Sequence, residues 1–131
     1  SVPPWEHVLE PLSGYMLLAK KMWESPTEYC EGWNFGPEAE SVCTVWEVAT
    51  ALVKNYGYGE LHDVSDPNAL HEAKLLMLNI NKAKNLLGWH PRLDMNACIG
   101  LVADWYKRYK KEDVYGICVE EINHFLENDE N

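Results

Sequence analysis

Tyr106 and Lys110 stand four residues apart, the spacing at which some reductases use a lysine to lower the pKa of a catalytic tyrosine. Tyr106 follows the apolar Trp105 on a helical stretch near the chain's end, and in a sequence with seven Tyr the spacing arises readily by chance. The pair is read as coincidence. His71-Glu72 opens like the helix of a zinc protease, but that chemistry needs a second His four residues after the first, where Leu75 stands. Cys30, Cys43, Cys98 and Cys118 lie too far apart for any C-x-x-C pair, so no structural zinc is expected. They read as small buried apolar residues of a reducing cytosol. Gly57-Tyr58-Gly59 has His62 where a third glycine belongs and follows a helical pattern, not a strand. The chain therefore offers no turn that would bring backbone N–H groups against a dinucleotide pyrophosphate. Asn34 lies among apolar residues, and a buried amide must find partners. A turn cap and a ligand contact are both open to it.

The elements that must position these residues follow from apolar spacing. Leu9, Leu12, Met16, Ala19 and Trp23 mark a first helix, which Ser25-Pro26 stops. A second helix follows Ser41 as N-cap, with Val42, Val45, Ala49, Leu52 and Tyr56 on one face and Gly57 at its end. Tyr29 to Phe35 reads as a buried strand, and Glu60 to Val64 and Ala73 to Leu78 as two more around the turn Ser65-Asp66-Pro67-Asn68. Asn81 caps a short helix through Leu87 that Gly88 terminates, and Asp94 caps a longer one with Cys98, Leu101 or Val102, Trp105 and Tyr109 on its apolar face. Lys107, Arg108, Lys110 and Lys111 load its last turn, where positive charge suits the helix dipole, and read as a solvated helix end. A last helix is predicted over Val119 to Leu126.

At 131 residues the chain is one domain's length, long enough to bury about two thirds of its unfolded surface. With 47% hydrophobic and 24% charged residues, six Trp and seven Tyr, it reads as a folded globular protein. It has no long apolar run or charged-then-apolar leader, so neither a membrane span nor a secretory signal is expected. A formal charge of −10 would repel a phosphate backbone, and nucleic acid is not an expected partner. Ser1 stands where an initiator Met would, so the chain is expected to be a segment of a longer polypeptide.

Two strings are far more specific than these patterns: Pro4-Trp5-Glu6-His7-Val8-Leu9-Glu10-Pro11-Leu12-Ser13-Gly14-Tyr15 and Glu31-Gly32-Trp33-Asn34-Phe35-Gly36-Pro37. They are followed in order by His71-Glu72-Ala73, Asn81-Lys82-Ala83 and Leu87-Gly88-Trp89-His90-Pro91. From Val2 to about Leu126 the chain resembles the C-terminal half of the CDP-glucose 4,6-dehydratases, extended short-chain dehydrogenase/reductases of the NAD-dependent epimerase/dehydratase type.

The resemblance implies an α+β, mostly helical C-terminal subdomain of about five helices with two or three short strands, the Rossmann half being absent. Residues 1–126 would form the nucleotide-sugar-binding domain and 127–131 an acidic disordered tail. The parent would be a cytoplasmic lyase of deoxysugar biosynthesis, turning CDP-glucose into CDP-4-keto-6-deoxyglucose. In that family NAD oxidises C4 of the hexose, water leaves across C5 and C6, and the hydride returns at C6. NAD and the catalytic Tyr and Lys belong to the other half, so this chain is expected to bind no cofactor, hold no metal, carry no catalytic residue and be inactive alone. Its partners would be a CDP-hexose, the missing N-terminal Rossmann half and, since dimers are common among relatives, a second copy. The face meeting the Rossmann half should be apolar and uncovered.

By the same likeness Trp5, His7, Asn34, His71 and Glu72 are the substrate-binding candidates. In the wider superfamily the Trp-Asn-x-Gly strand end lies close to the nucleotide diphosphate, and the segment around Pro-Trp-x-His-Val lines the cleft opposite. Pro3 stands where the family usually has an Arg suited to pyrophosphate, and Asn68-Ala69-Leu70 lacks the base many relatives carry there. The alternatives are another nucleotide-sugar epimerase or reductase, and a free-standing, non-catalytic helical domain that binds a protein through its aromatic surface.

Overall fold

The computed structural model describes residues 1–69 and 75–128. Among the described residues five α-helices carry the fold: α1 (Leu9–Glu24), α2 (Pro26–Tyr29), α3 (Val45–Tyr56), α4 (Met95–Arg108) and α5 (Val114–Glu127). A 3-10 turn at Ala39–Ser41 and a π-helical turn at Ala83–Leu87 join them. Helix α4 packs between α3 and α5, while α1 packs on α2 and on the π-helical turn.

Local chemistry sets the boundaries. Thr44, not Ser41, caps α3, in a reciprocal arrangement where its hydroxyl accepts from the Glu47 N–H and the Glu47 carboxylate accepts from the Thr44 N–H. Asp94 caps α4 as expected. Helix α5 begins five residues before the predicted Val119, because Asp113 accepts from the Gly116 N–H and starts the helix there. Gly88 ends the π-helical turn at φ +70°, a conformation that other residues adopt at a cost.

Three predicted strands are corrected. Tyr29 ends α2, and Cys30 to Phe35 runs as irregular chain whose groups are met by side chains: Trp33 Nε1 donates to the Tyr29 carbonyl, and Lys82 Nζ to the Gly32 carbonyl and Glu31 carboxylate. Glu60 to Val64 is also irregular. Of Ala73 to Leu78, residues 73 and 74 lie outside the described residues, and Leu75 makes only an isolated parallel bridge with Val2. Strand-like composition without a neighbouring ladder does not make a sheet. Of the predicted tail, Glu127 closes α5 and residues 129–131 lie outside the described residues.

The core gathers Phe35, Ile80, Ala83, Leu87 and Trp89, with Leu17, Leu18, Tyr29, Trp33 and Leu78 packed around them. Helix α1 meets it through Gly14, Leu17 and Leu18, not through the predicted Leu9–Trp23 face: Met16 and Trp23 are exposed, while Glu10 and Gly14 are buried. The Phe35 ring requires this rotation, since a Cβ built on Gly14 would lie 2.4 Å from it. The cysteines are corrected too: all four are free, Cys30 is exposed and the others are half-buried. Among the described residues no helix is long and apolar enough to cross a membrane.

Gly14→Ala is expected to cost about 1–3 kcal/mol of stability, the usual penalty for overpacking a filled core. Gly100→Ala, inside α4 with nothing within 4 Å of its added Cβ, should be neutral or stabilise by up to about 1 kcal/mol. Urea denaturation of the two variants checks the pair; equal midpoints would contradict the packing described.

Candidate functional site

Trp5 and His7 are brought together ahead of α1, with Glu6 between them. The segment is held by its own backbone: the Trp5 N–H donates to the Pro3 carbonyl, and Leu76 N–H donates to the Val2 carbonyl. His7 is only 6% exposed. Its Nδ1 accepts from the Leu9 N–H at 3.1 Å, so the ring takes one of the unpaired donors at the start of α1. That bond leaves the neutral ring's proton on Nε2, which faces Glu121 Oε2 of α5 at 4.0 Å. Burial lowers the His7 pKa and favours this neutral form.

Three carboxyls surround the imidazole region. Glu10, 2% exposed, accepts from the Arg92 backbone N–H with both oxygens, at 3.1 and 2.9 Å. Burial raises its pKa, while the Arg92 and Leu93 backbone donors pull it back down. Glu121 is raised by burial and then by Asp104. Glu6 is pushed up to about 7, first by burial and then by the neighbouring Glu10. Glu6 Oε2, Glu121 Oε1 and Trp5 Nε1 are enclosed without hydrogen-bond partners. A carboxyl that gains and loses its proton near neutrality thus stands next in sequence to the buried imidazole of His7.

Glu6, His7 and Glu121 line a cavity of about 420 Å³, bounded also by Val8 and Leu9, by Val102, Trp105 and Tyr106 of α4, and by Cys118 and Ile122 of α5. A much smaller space of about 10 Å³ lies on the other side of Glu6 and His7, against Trp5, Glu10 and Cys98. The Cys98 thiol is held up to about 11 by burial and by Glu10 and Glu6, which leaves it protonated and inert.

Asn34 is placed elsewhere. It is exposed, between the half-buried Trp33 and the buried Phe35, and lines neither space. The expected burial among apolar neighbours does not occur, because the irregular backbone turns Trp33 onto Lys82, 4.3 Å from its ring, and Phe35 into the core. His71 and Glu72 lie outside the described residues. Sequence reasoning missed Glu6, Glu10 and Glu121. A signal existed for Glu121: it stands four residues from Ile117 and four from Phe125, the buried stripe of α5.

No protein-family model matches the chain. Over 118 residues it is 37% identical to the CDP-glucose 4,6-dehydratase of Salmonella typhimurium, an alignment covering 90% of this chain and 33% of that protein. The chain resembles one third of a CDP-glucose 4,6-dehydratase. Its length is about a third of that relative's, consistent with a C-terminal piece of that family. Among the described residues the fold is mostly helical and nearly strand-free, which agrees with a small helical C-terminal subdomain.

The Glu6 carboxyl gives a pH signature. Its folded pKa near 7 lies above the ordinary 4.5, so the stability tied to its proton is fully present below pH 4.5 and is lost as pH rises through 7. Glu6→Gln removes this loss. Its melting temperature should exceed the wild type's at pH 8 and approach it near pH 4.5; a difference independent of pH would contradict the burial described.

Proposed function

We propose that this chain is the substrate-holding C-terminal part of an NAD-dependent nucleotide-sugar 4,6-dehydratase, with CDP-glucose as substrate and Trp5, His7, Asn34, His71 and Glu72 on the substrate side. The observation that carries the reading is the 37% identity sustained over 90% of the chain. A dehydratase relative favours that reaction over epimerisation or reduction. The whole enzyme would act in the cytoplasm as a homo-oligomer, this part joined to an N-terminal Rossmann half.

The described residues do not fit NAD. Among the described residues the glycines with positive φ are Gly57, Gly59 and Gly88, which end helical turns or lie in irregular chain, and none opens a helix after a strand. Among the described residues no backbone cradle for a pyrophosphate is formed, and the reading assigns the hydride chemistry to the N-terminal half. Its own contribution is to bind and orient: positioning a bound sugar against chemistry elsewhere lowers the barrier without any reacting group here. Met16, Trp23, Val64, Leu75 and Leu76 are exposed, which leaves apolar area available to such a partner half.

Incubated with NAD and CDP-glucose, the chain alone is expected to form no 4-keto sugar, and the enzyme restored by joining it to its N-terminal half is expected to form it. Turnover by the chain alone, or none by the restored enzyme, would contradict the reading. In the restored enzyme Asn34→Ala should weaken CDP-glucose binding by about 1–3 kcal/mol. Its melting temperature should barely move, since Asn34 is exposed. Unchanged affinity would remove Asn34 from the substrate side.

A further inference from the structure

We propose that the cavity between residues 6–9, α4 and α5 receives an uncharged sugar ring, one hydroxyl of which bridges His7 and Glu121 while Trp105 and Tyr106 meet its C–H face. The inference deepens the proposed function and rests on it for the source of the sugar. The volume of about 420 Å³ lies within the range of small-molecule sites.

The polar groups select the ligand's chemistry. His7 presents a fixed donor, because the Leu9 N–H occupies its other nitrogen. Glu121 presents an acceptor beside it, and the 4.0 Å between Nε2 and Oε2 exceeds a hydrogen bond. An atom that completes both must accept from Nε2–H and donate to Oε2. A hydroxyl does both. An ammonium group cannot accept, and an ionised phosphate or carboxylate oxygen has no proton to donate to Oε2.

The walls select its shape. Val8, Leu9, Val102 and Ile122 are apolar, and Trp105 and Tyr106 add aromatic surface. The Trp105 ring is held by a parallel stack on Tyr109, 4.9 Å between centroids at 8°, and edge-on to Tyr106 at 5.2 Å. A rigid aromatic wall facing a donor–acceptor pair suits a molecule whose faces are C–H and whose rim is O–H. Both the hexose and the ribose of a nucleotide sugar have that character.

Saturation-transfer NMR on the chain tests this, with methyl α-D-glucopyranoside and cytidine as separate probes. Transfer to the ring protons of either supports the site, and which one receives it distinguishes hexose from ribose. Glu121→Leu should abolish the transfer, and Tyr106→Ala, at an exposed position that the fold tolerates, should reduce it at least threefold. Circular dichroism confirms that both remain folded. No transfer to either probe, transfer unchanged in both variants, or preferential binding of tetramethylammonium would overturn the inference. A restored enzyme that turns over CDP-glucose at the wild-type KM with Glu121→Leu would overturn it while leaving the proposed function standing. Sugar transfer retained alongside a restored enzyme with no dehydratase turnover would support the site and remove that function.

Discussion

The Glu10 carboxylate holds this structure together. A buried acid is tolerated only when its charge or its proton finds partners, and here both oxygens accept from the Arg92 backbone as that strand of loop passes the start of α1. The bond fixes one end of α1 against the entry to α4. One turn further on, Ser13 Oγ accepts from Trp89 Nε1 at 3.0 Å, and Gly14 then admits the Phe35 ring, which meets Trp89 edge-on at 5.0 Å. Polar pin, hydroxyl and missing Cβ follow one another along a single face of α1.

The distinctive strings of the sequence meet at this junction. The first supplies Glu10, Ser13 and Gly14, the second Phe35, and the last Leu87, Gly88 and Trp89. Much of what makes the sequence specific is therefore spent on joining three distant segments. Of the remainder, just before α1, His7 reaches the cavity wall and Trp5 the small space behind it, ahead of the helix that Glu10 fixes. A segment gains precision when it leads directly into a pinned element.

Helices were legible in the sequence where capping and periodicity agreed: α1, α3 and α4 begin and end within a few residues of their signals, and Gly57 and Gly88 stop what they were expected to stop. Strands were not. Aromatic and β-branched residues at 29–35 and 60–64 favour extended chain, but a strand exists only where a second one pairs with it, and pairing is not written in either segment alone. The buried face of α1 was illegible for a related reason, since a glycine and a glutamate carry no apolar signal and are chosen by Phe35 and the Arg92 loop. Of the candidate site, Trp5 and His7 came from likeness to a family, while the acids that set their electrostatics came only from the fold.

The most direct measurement of the central proposal, that the junction holds the Trp5–His7 segment where it would grip a nucleotide sugar, is an amide and side-chain NMR titration of the chain with CDP-glucose. The account predicts shifts concentrated on Trp5, Glu6 and His7 and on the facing residues Trp105 and Glu121, with Arg92 and Leu93 unmoved because Glu10 holds them. Shifts confined to the lysine-rich end of α4, or none at saturating ligand, would contradict it.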